Sequence, residues 1–417
     1  MIKHQLSNGI RVVLKNIPSF RSVSFGIWVK AGSRHERPEQ NGISHFIEHM
    51  LFKGTERYTA AQIAELFDGI GGNVNAFTTK EYTCFYAKVL DEHLPLAVDV
   101  LSDMFFRSRF ATEELEKERN VILEEIAMYE DTPDDLVHDL LASAAYGSHP
   151  LGQTILGTKQ NLQTFSADDL RAYMQQHYIV PNIVLSVAGN VDEGIIPLLE
   201  QAFGGFVRTG EPAGLTPPVF RSEAVFRQKQ TEQNHVCLTW PGIANQDPSL
   251  YAMILLSNII GGGMSSRLFQ EIRENRGLAY SIYAFHNAYM DNGMFTVYAG
   301  TAPNQTKEVL DLTLDIVEDV LVNGISDAEL KRGKEQLKGS LILSMESTTS
   351  QMNRMGKNEL LLGRHYSLND MIAMIEAVDP EQIRSVAKQV FTQPYALAMV
   401  GHSDKPLRKW GRDYLVL

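Results

Sequence analysis

The sequence predicts an α+β protein made of two homologous halves, each an α/β roll in which a mixed, mostly antiparallel sheet packs against helices. Three observations support this fold class: an internal repeat, a Gly- and Pro-rich stretch near the midpoint of the 417-residue chain, and an irregular succession of helical and strand patterns. A chain of this length is too long to form a single hydrophobic core, so two domains are expected. The succession also lacks the regular strand–helix alternation that indicates a parallel sheet.

The internal repeat is visible at two places. The segment from Ser166 matches the segment from Asp379, at an offset of 379 − 166 = 213 residues. Each begins with a helix N-cap residue, continues as an amphipathic helix, reaches a proline and ends in an apolar strand closed by glycine. The segment from Phe110 also matches the segment from Ile325, at an offset of 215. Two matches in the same order indicate two copies of one fold.

The midpoint stretch "GGFVRTGEPAGLTPP" separates the copies. It occupies residues 204–218 and shows neither helical nor strand periodicity, which is typical of a linker. We therefore expect an N-terminal half over residues 1–203 and a C-terminal half over residues 219–417.

The elements of the first half follow from local patterns. Asn8 and Gly9 lie between two alternating runs and predict a hairpin turn at the N-terminus. Apolar periodicity then predicts, in order, a strand over 22–32, helices over 43–52 and 60–70, a β-hairpin over 73–90 and mostly helix over 94–146.

The composition excludes several classes of protein. The net charge of −12 argues against a generic nucleic-acid binder, and no apolar run is long enough for a membrane span. Two cysteines, Cys84 and Cys237, are too few for a disulfide-built secreted scaffold. The N-terminal residues lack the apolar stretch of a signal peptide. We expect a cytoplasmic protein.

The stretch "NGISHFIEHMLFKGT" contains a possible metal site. On a helix, His45 and His49 stack on one face, so both imidazoles can reach one ion. Glu48 shares that side and can take a proton from a water held against the ion. Zinc suits imidazole and carboxylate ligands, and a catalytic zinc site commonly has three protein ligands and a water.

A third ligand is needed, and the glutamate-rich stretch 116–131 offers candidates. Glu118 and Glu125 are seven residues apart and lie on one face of a helix. The alternative is a solvated helix face, which is the commoner role of such stretches. The apolar residues interleaved here argue that not all of these glutamates face water.

With E-x6-E downstream of H-x-x-E-H, the sequence resembles the pitrilysin family of metallopeptidases, which includes insulin-degrading enzyme and mitochondrial processing peptidase. The likeness covers almost the whole chain, including "GIWVKAGSRHE", "HMLFKGT", "GGNVNAFTTKEYT" and "LFQEIRENRGLAYS". The resemblance implies that His45, His49 and Glu125 bind zinc. It also implies that Glu48 is the general base and that Glu118 is a second carboxylate supporting the site.

The second half serves as an internal comparison. The repeat aligns the metal helix with "SLYAMILLSNIIGGG". There Met253 stands at the position of His45, Leu256 at that of Glu48 and Ser257 at that of His49. On the other helix, Gly333 and Ser340 replace the two glutamates. We therefore predict one zinc per chain.

Arg273 and Tyr280, in "RENRGLAY", form a second candidate site. The resemblance implies that they bind the substrate backbone and stabilise the oxyanion, for which a guanidinium and a phenol are suitable donors. Without the resemblance, a helix-end arginine and a core tyrosine would be the favoured interpretation. In small family members two chains enclose a chamber, and this pair reaches the zinc of the opposite chain. We therefore predict a homodimer with two composite active sites.

The strand from Asn73 supplies a possible substrate-binding edge. An extended peptide can add to a free sheet edge through main-chain hydrogen bonds, and the small Ala76 would allow a close approach. Asn75, Ala76 and Phe77 are the candidate contacts, and an ordinary hairpin is the alternative.

Together these features predict a zinc-dependent endopeptidase that hydrolyses peptides or unfolded segments inside an enclosed chamber. One alternative is a presequence-processing peptidase, since an acidic protein suits basic presequences. The other is a non-catalytic scaffold or binding subunit, which the complete zinc set disfavours. A bacterial origin fits the self-sufficient motif set better than a mitochondrial one.

Overall fold

The computed structural model describes residues 1–410 and 415–416, which fall into two compact units. The first unit comprises residues 1–126, 154–215 and 343–365, and the second comprises residues 127–153, 216–342 and those from 366 onward. The predicted linker at 204–218 does not separate the units completely. The first unit includes residues 343–365 from beyond the linker, and the second includes residues 127–153 from before it.

A six-stranded mixed sheet forms the centre of the first unit. Its strands are β1 (Ile2–Gln5), β2 (Arg11–Asn16), β3 (Ser22–Val29), β4 (Asn73–Thr78), β5 (Thr83–Leu90) and β6 (Ile183–Gly189). Their order is β1-β2-β6-β3-β5-β4. Only the β2–β6 pairing is parallel. Gly9 adopts φ +97° in the first hairpin, as the Asn-Gly turn predicts. The strand β4 lies at an edge.

A second six-stranded sheet forms the centre of the other unit. Its strands are β7 (Ala224–Gln228), β8 (Asn234–Pro241), β9 (Ala279–Ala288), β10 (Gly293–Thr301), β11 (Ala396–Gly401) and β12 (Leu415–Val416). Their order, β12-β7-β11-β8-β10-β9, repeats that of the first sheet. Only the outermost strand differs, because β12 pairs parallel to β7 whereas β1 pairs antiparallel to β2. The predicted fold class is confirmed.

Helices cover both sheets, and those of the chain's first half are α1 (Ile43–Leu51), α2 (Ala60–Gly69), α3 (Leu94–Arg107), α4 (Thr112–Glu130), α5 (Pro133–Tyr146), α6 (Lys159–Thr164), α7 (Ala167–His177) and α8 (Ile196–Phe203). Those that follow are α9 (Leu250–Gly261), α10 (Thr306–Asn323), α11 (Asp327–Ser344), α12 (Thr348–Leu361), α13 (Leu368–Ala377), α14 (Pro380–Phe391) and α15 (Lys405–Trp410). Ser166 and Asp379 cap α7 and α14 as predicted, each accepting from the backbone N–H three residues on. Among the described residues, no helix combines the length and the apolarity needed to cross a membrane.

The helix α12 packs tightly on the sheet of the first unit. Ser186 of β6 donates a hydrogen bond to the carbonyl of Met352 at 2.8 Å. Gly356 lies directly against the Trp28 indole, where a Cβ would stand 2.2 Å from Nε1. Gly26 of β3 is equally crowded, by the sulfur of Met352. The two glycines therefore permit a helix–sheet distance that larger residues would not.

A buried carboxylate holds the N-terminus of α1. The N-cap residue Gly42 has φ +101° and no side chain to accept from the first helical N–H groups. Glu36 takes that role, accepting from the backbone N–H of Gly42 at 2.8 Å and of Ser44 at 2.9 Å. Asn41 donates to the same carboxylate at 3.1 Å. Burial raises the pKa of Glu36, and these hydrogen bonds oppose the rise. A carboxylate at this end also complements the helix dipole.

A half-buried histidine, His35, and a buried one, His177, pack beside this cap. The ring centroids of His35 and His177 are 6.1 Å apart, and His177 lies 4.3 Å from the ring of Tyr173, whose hydroxyl accepts from Ser44 of α1. Burial lowers the pKa of His35 to about 3 and that of His177 to about 4. Both imidazoles are therefore neutral at pH 7.

We expect Gly356→Ala to lower the free energy of unfolding by about 1–3 kcal/mol, because the new methyl group overlaps the Trp28 indole. The matched control is Gly339→Ala in α11, where nothing lies within 4 Å of the added Cβ. Loss of backbone entropy in the unfolded chain should there stabilise the protein by about 0.5–1 kcal/mol. Urea denaturation of the metal-free proteins measures both values, and equal stability of the two variants would contradict the packing argument.

We expect acid to destabilise the fold through His35 and His177. Their folded pKa values lie below the ordinary value of 6.5, so the unfolded chain binds more protons as the pH falls. Their contribution is complete above about pH 6.5 and falls by up to about 1.4 kcal/mol per pH unit per histidine below it. The free energy of unfolding should therefore depend less steeply on pH between 7 and 5 in His177→Gln. The exposed His402→Gln is the control, and identical slopes in the two variants would refute this expectation.

Candidate metal centre

The helix α1 presents the two predicted histidines side by side. The ring centroids of His45 and His49 are 4.6 Å apart, as the four-residue spacing requires. The apolar side chains of this helix are buried, with Phe46 and Ile47 fully inside the core. The fold thus holds two imidazoles rigidly at the edge of a hydrophobic core.

Glu125 of α4 completes a three-residue cluster with these histidines. Its Oε2 lies 3.7 Å from His45 Nε2 and 3.6 Å from His49 Nε2. One ligand atom from each residue lies within 4.8 Å of the others, and no other group of this kind occurs in the part of the chain that the structure describes. Two ligands of a tetrahedral zinc ion are about 3.3–3.5 Å apart, given bonds of about 2.0–2.2 Å. The spacing therefore fits zinc.

The protonation of the cluster also fits a metal site. Burial lowers the pKa of His45 to about 4, so its imidazole is neutral and keeps a lone pair. Burial opposes the charged form of His49, but the nearby carboxylates of Glu125 and Glu118 outweigh it and raise its pKa. The contact with His49 in turn lowers the pKa of Glu125. Metal ligands must be deprotonated, so a cation bound at this position would compete with protons for the His49 imidazole.

Glu118 lies behind the cluster and not within it. Its Oε2 accepts from His49 Nδ1 at 3.0 Å, and its Oε1 binds Lys53 Nζ at 2.7 Å. The solvated-face alternative fails for Glu118, whose side chain is 6% exposed. Our sequence reasoning missed Lys53. The lysine follows His49 by four residues, but nothing in that spacing indicates which carboxylate it meets.

Glu48 accepts a hydrogen bond from a residue of the edge strand. The hydroxyl of Thr78 donates to Glu48 Oε2 at 2.6 Å. Burial raises the pKa of Glu48, and the Thr78 hydrogen bond partly opposes this. Thr78 was not among the predicted site residues. The period of two along β4 places it on the same face as Ala76, which is the signal that could have identified it.

The strand β4 forms an edge of its sheet, and within the described part of the chain it pairs only with β5. Along it Asn75 is exposed, Phe77 is half-buried and Ala76 is buried at 9% exposure. The three residues therefore lie on the strand that also carries Thr78. A further strand could add at this edge only if the Asn75 side chain released the backbone N–H of Ala76, which now donates to Asn75 Oδ1 at 2.8 Å.

In the second unit, the structure brings Arg273 and Tyr280 together. Arg273 lies on a π-helical turn over Phe269–Glu274, a rare geometry that is frequent at functional sites. Its guanidinium carbon is 5.4 Å from the ring centroid of Tyr280, within cation–π range. The alternative of a core tyrosine is wrong, because Tyr280 is 73% exposed.

The residues that replace the metal set in the second unit belong to its core. Met253 and Leu256 of α9 are fully buried, and Ser257 is 6% exposed. A Cβ at Gly333 of α11 would lie 3.1 Å from Ile259 of α9, so the helices approach where the first unit inserts Glu118. The same fold therefore forms without any of the metal-site side chains.

Comparison with known proteins identifies relatives over the whole chain. The family model "Insulinase (Peptidase family M16)" matches residues 11–159, and "Peptidase M16 inactive domain" matches residues 164–337. The first match contains the three candidate ligands and the two neighbouring carboxylates: His45, His49, Glu125, Glu48 and Glu118. The second contains Arg273 and Tyr280.

Curated bacterial proteins are similar along nearly their full lengths. The "Uncharacterized zinc protease YmxG" of Bacillus subtilis is 52% identical over 404 residues, which cover 97% of this chain and 99% of the relative. The "Uncharacterized zinc protease SCO5738" of Streptomyces coelicolor is 44% identical, with 95% and 88% covered.

Solved structures share the fold at low sequence identity. A protease from Helicobacter pylori superposes with a TM-score of 0.89 at 21% identity, covering 96% of this chain and 98% of that one. A chain of Complex III2 from Candida albicans gives 0.86 at 19% identity, covering 99% and 97%. The full-length identity to bacterial relatives and the two family models together settle the classification. The chain belongs to the M16 (insulinase) family of peptidases.

Proposed function

We propose that this chain is a zinc-dependent endopeptidase that hydrolyses peptides or unfolded segments, with one zinc ion per chain bound by His45, His49 and Glu125. The observation that carries the proposal is the three-residue cluster, whose ligand atoms lie within 4.8 Å of one another next to a free sheet edge. When bound, zinc would polarise the scissile carbonyl and acidify a water.

Glu48 is the general base in this proposal. Burial raises its pKa toward neutrality, where a carboxylate exchanges protons most effectively, and Thr78 fixes its orientation. Glu48 takes a proton from the attacking water as the water oxygen bonds to the carbonyl carbon. It then delivers that proton to the departing amine nitrogen as the C–N bond breaks.

The substrate would bind as an added strand on β4. Main-chain hydrogen bonds then provide much of the affinity, so the side chains of the substrate matter less. Asn75, Ala76 and Phe77 are the proposed contacts on this edge, and Ala76 leaves room for close approach. Folded proteins lack the free extended segment that this mode requires.

Arg273 and Tyr280 would bind the substrate backbone and stabilise the oxyanion. They pair a half-buried guanidinium with an exposed phenol, and both groups are strong donors to a developing negative charge. We propose that two identical chains form a homodimer in which this pair of one chain serves the zinc centre of the other. A cytoplasmic, bacterial setting is part of the proposal and agrees with two buried free cysteines and with bacterial relatives named as zinc proteases.

A presequence-processing peptidase is the second candidate, favoured by the net charge of −12, which would attract basic peptides. Comparing the cleavage of basic presequence-like peptides with that of random peptides of equal length separates the two. A non-catalytic subunit is disfavoured, because Glu48 and the three ligands are all present and correctly grouped.

We expect Glu48→Gln to lower kcat about 10²–10⁴-fold, because the amide cannot accept the water proton. Zinc content, measured by elemental analysis, should stay at one ion per chain, since Glu48 is not a ligand. A chelator should abolish cleavage of a quenched fluorescent peptide by the wild type, and added zinc should restore it.

The control for this variant is Glu65→Gln, an exposed position on α2. It should cleave the peptide at the wild-type rate. Cleavage at that rate by a clean Glu48→Gln preparation would refute the mechanism.

We expect Arg273→Ala and Glu48→Gln to complement each other when mixed. Half of randomly mixed dimers are hybrids, and each hybrid holds one intact composite site, so about a quarter of the wild-type rate should return. Mixing Glu48→Gln with His49→Ala is the control, because both changes damage the zinc centre and no hybrid has an intact site. Sedimentation that finds only an active monomer would rule out the composite dimer.

A further inference from the structure

Lys53, Glu118 and His49 form a continuous chain of charged contacts that ends at the metal centre. Lys53 Nζ lies 2.7 Å from Glu118 Oε1, and Glu118 Oε2 lies 3.0 Å from His49 Nδ1. Each carboxylate oxygen of Glu118 thus has its own partner. The His49 nitrogen that remains, Nε2, is the one that faces Glu125.

The chain connects the two helices that supply the metal set. Lys53 lies in the turn after α1, where its backbone N–H donates to the Met50 carbonyl at 3.1 Å. Its side chain crosses from there to Glu118 on α4, about two helical turns before Glu125 on the same face. The lysine is therefore placed to fix the distance between its own helix and the helix that carries the third ligand.

Glu118 needs this cation for electrostatic reasons. Its side chain is only 6% exposed, and a buried carboxylate without a partner is costly. Glu48 and Glu125 already place two further carboxylates near the same imidazoles. Without Lys53, Glu118 would be free to rotate away from its present position, and that change removes the acceptor from His49 Nδ1.

The orientation of His49 depends on that acceptor. A metal-bound histidine usually donates its second ring N–H to a carboxylate or carbonyl, which fixes the tautomer and raises the basicity of the ligating nitrogen. His45 has no such support, because its buried Nδ1 has no hydrogen-bond partner among the described residues. The hydrogen-bonded support of the two imidazoles therefore rests on Glu118.

We propose that Lys53 is a positioning residue of the metal centre: it holds the Glu118 carboxylate in the orientation that accepts from His49 and so sets the affinity for zinc. This inference rests on the proposed zinc-peptidase function. The alternative is that the Lys53–Glu118 ion pair only stabilises the fold.

The test compares zinc affinity in three variants of the full-length protein, measured by competition with a chromogenic chelator. Lys53→Met keeps the length of the side chain but removes its charge, and should weaken zinc binding about 10–100-fold. Lys53→Arg keeps the charge and should recover most of the affinity. Lys117→Met is the control, because Lys117 lies on α4 in an exposed pair with Glu114. It should bind zinc as the wild type does.

Two further measurements separate positioning from fold stability. A positioning role predicts that metal-free Lys53→Met melts close to metal-free Lys117→Met, and that saturating zinc restores kcat with KM unchanged. Cobalt(II) substituted for zinc should give an altered visible spectrum in Lys53→Met, since the ligand His49 is reoriented.

Equal zinc affinity in Lys53→Met and the wild type would overturn this inference and leave the proposed function intact. So would a lowered melting temperature of the metal-free variant with unchanged zinc affinity. A wild-type protein that binds no zinc would overturn both the inference and the proposed function.

Discussion

The candidate metal centre depends on two helices, far apart in sequence, that bring His45, His49 and Glu125 together. The helix α1 carries both histidines and Glu48, and α4 carries Glu125 at 3.6–3.7 Å from their Nε2 atoms. Three carboxylates and two imidazoles in so small a volume would repel or protonate one another without compensation. The surrounding contacts supply the compensating charge and hydrogen bonds. Glu36 anchors one end of α1, and the Lys53–Glu118 pair ties the other end to α4.

The second unit indicates how much stabilisation by apolar burial the first unit loses at its metal-site positions. Its helix α9 fills the corresponding positions with Met253 and Leu256, both fully buried, and α11 approaches α9 through Gly333. Apolar burial at such positions is worth about 1.5–3 kcal/mol per side chain. The first unit gives up that stabilisation and inserts Glu118 and two histidines instead. A fold that forms readily without these residues does not require them for stability, so their presence in α1 and α4 indicates a function.

The sequence predicted the elements and, within each helix, which candidate ligands share a face, because both depend on short-range geometry. His45 and His49 meet through the four-residue helical spacing, and the seven-residue spacing places Glu118 and Glu125 on one face. Choosing Glu125 over Glu118 as the ligand, however, required the family resemblance, since periodicity treats them alike. The roles of Thr78, Lys53 and Glu36 depend on tertiary contacts between elements 8 to 65 residues apart, which no local pattern encodes. The assignment of α5 and α12 to units across the linker is a property of the topology alone.

Thr78 directly connects the edge strand β4, the proposed substrate-binding strand, to Glu48, the proposed general base. It is the last residue of the edge strand β4, paired with Thr83 of β5, and its hydroxyl donates to Glu48. A peptide that adds to β4 would take its register from the backbone of that strand, and the same strand fixes the Glu48 carboxylate. The position of the scissile bond relative to Glu48 would then be set by main-chain geometry. Cleavage of unrelated sequences needs such an arrangement, because no side chain of the substrate has to be recognised to align the bond.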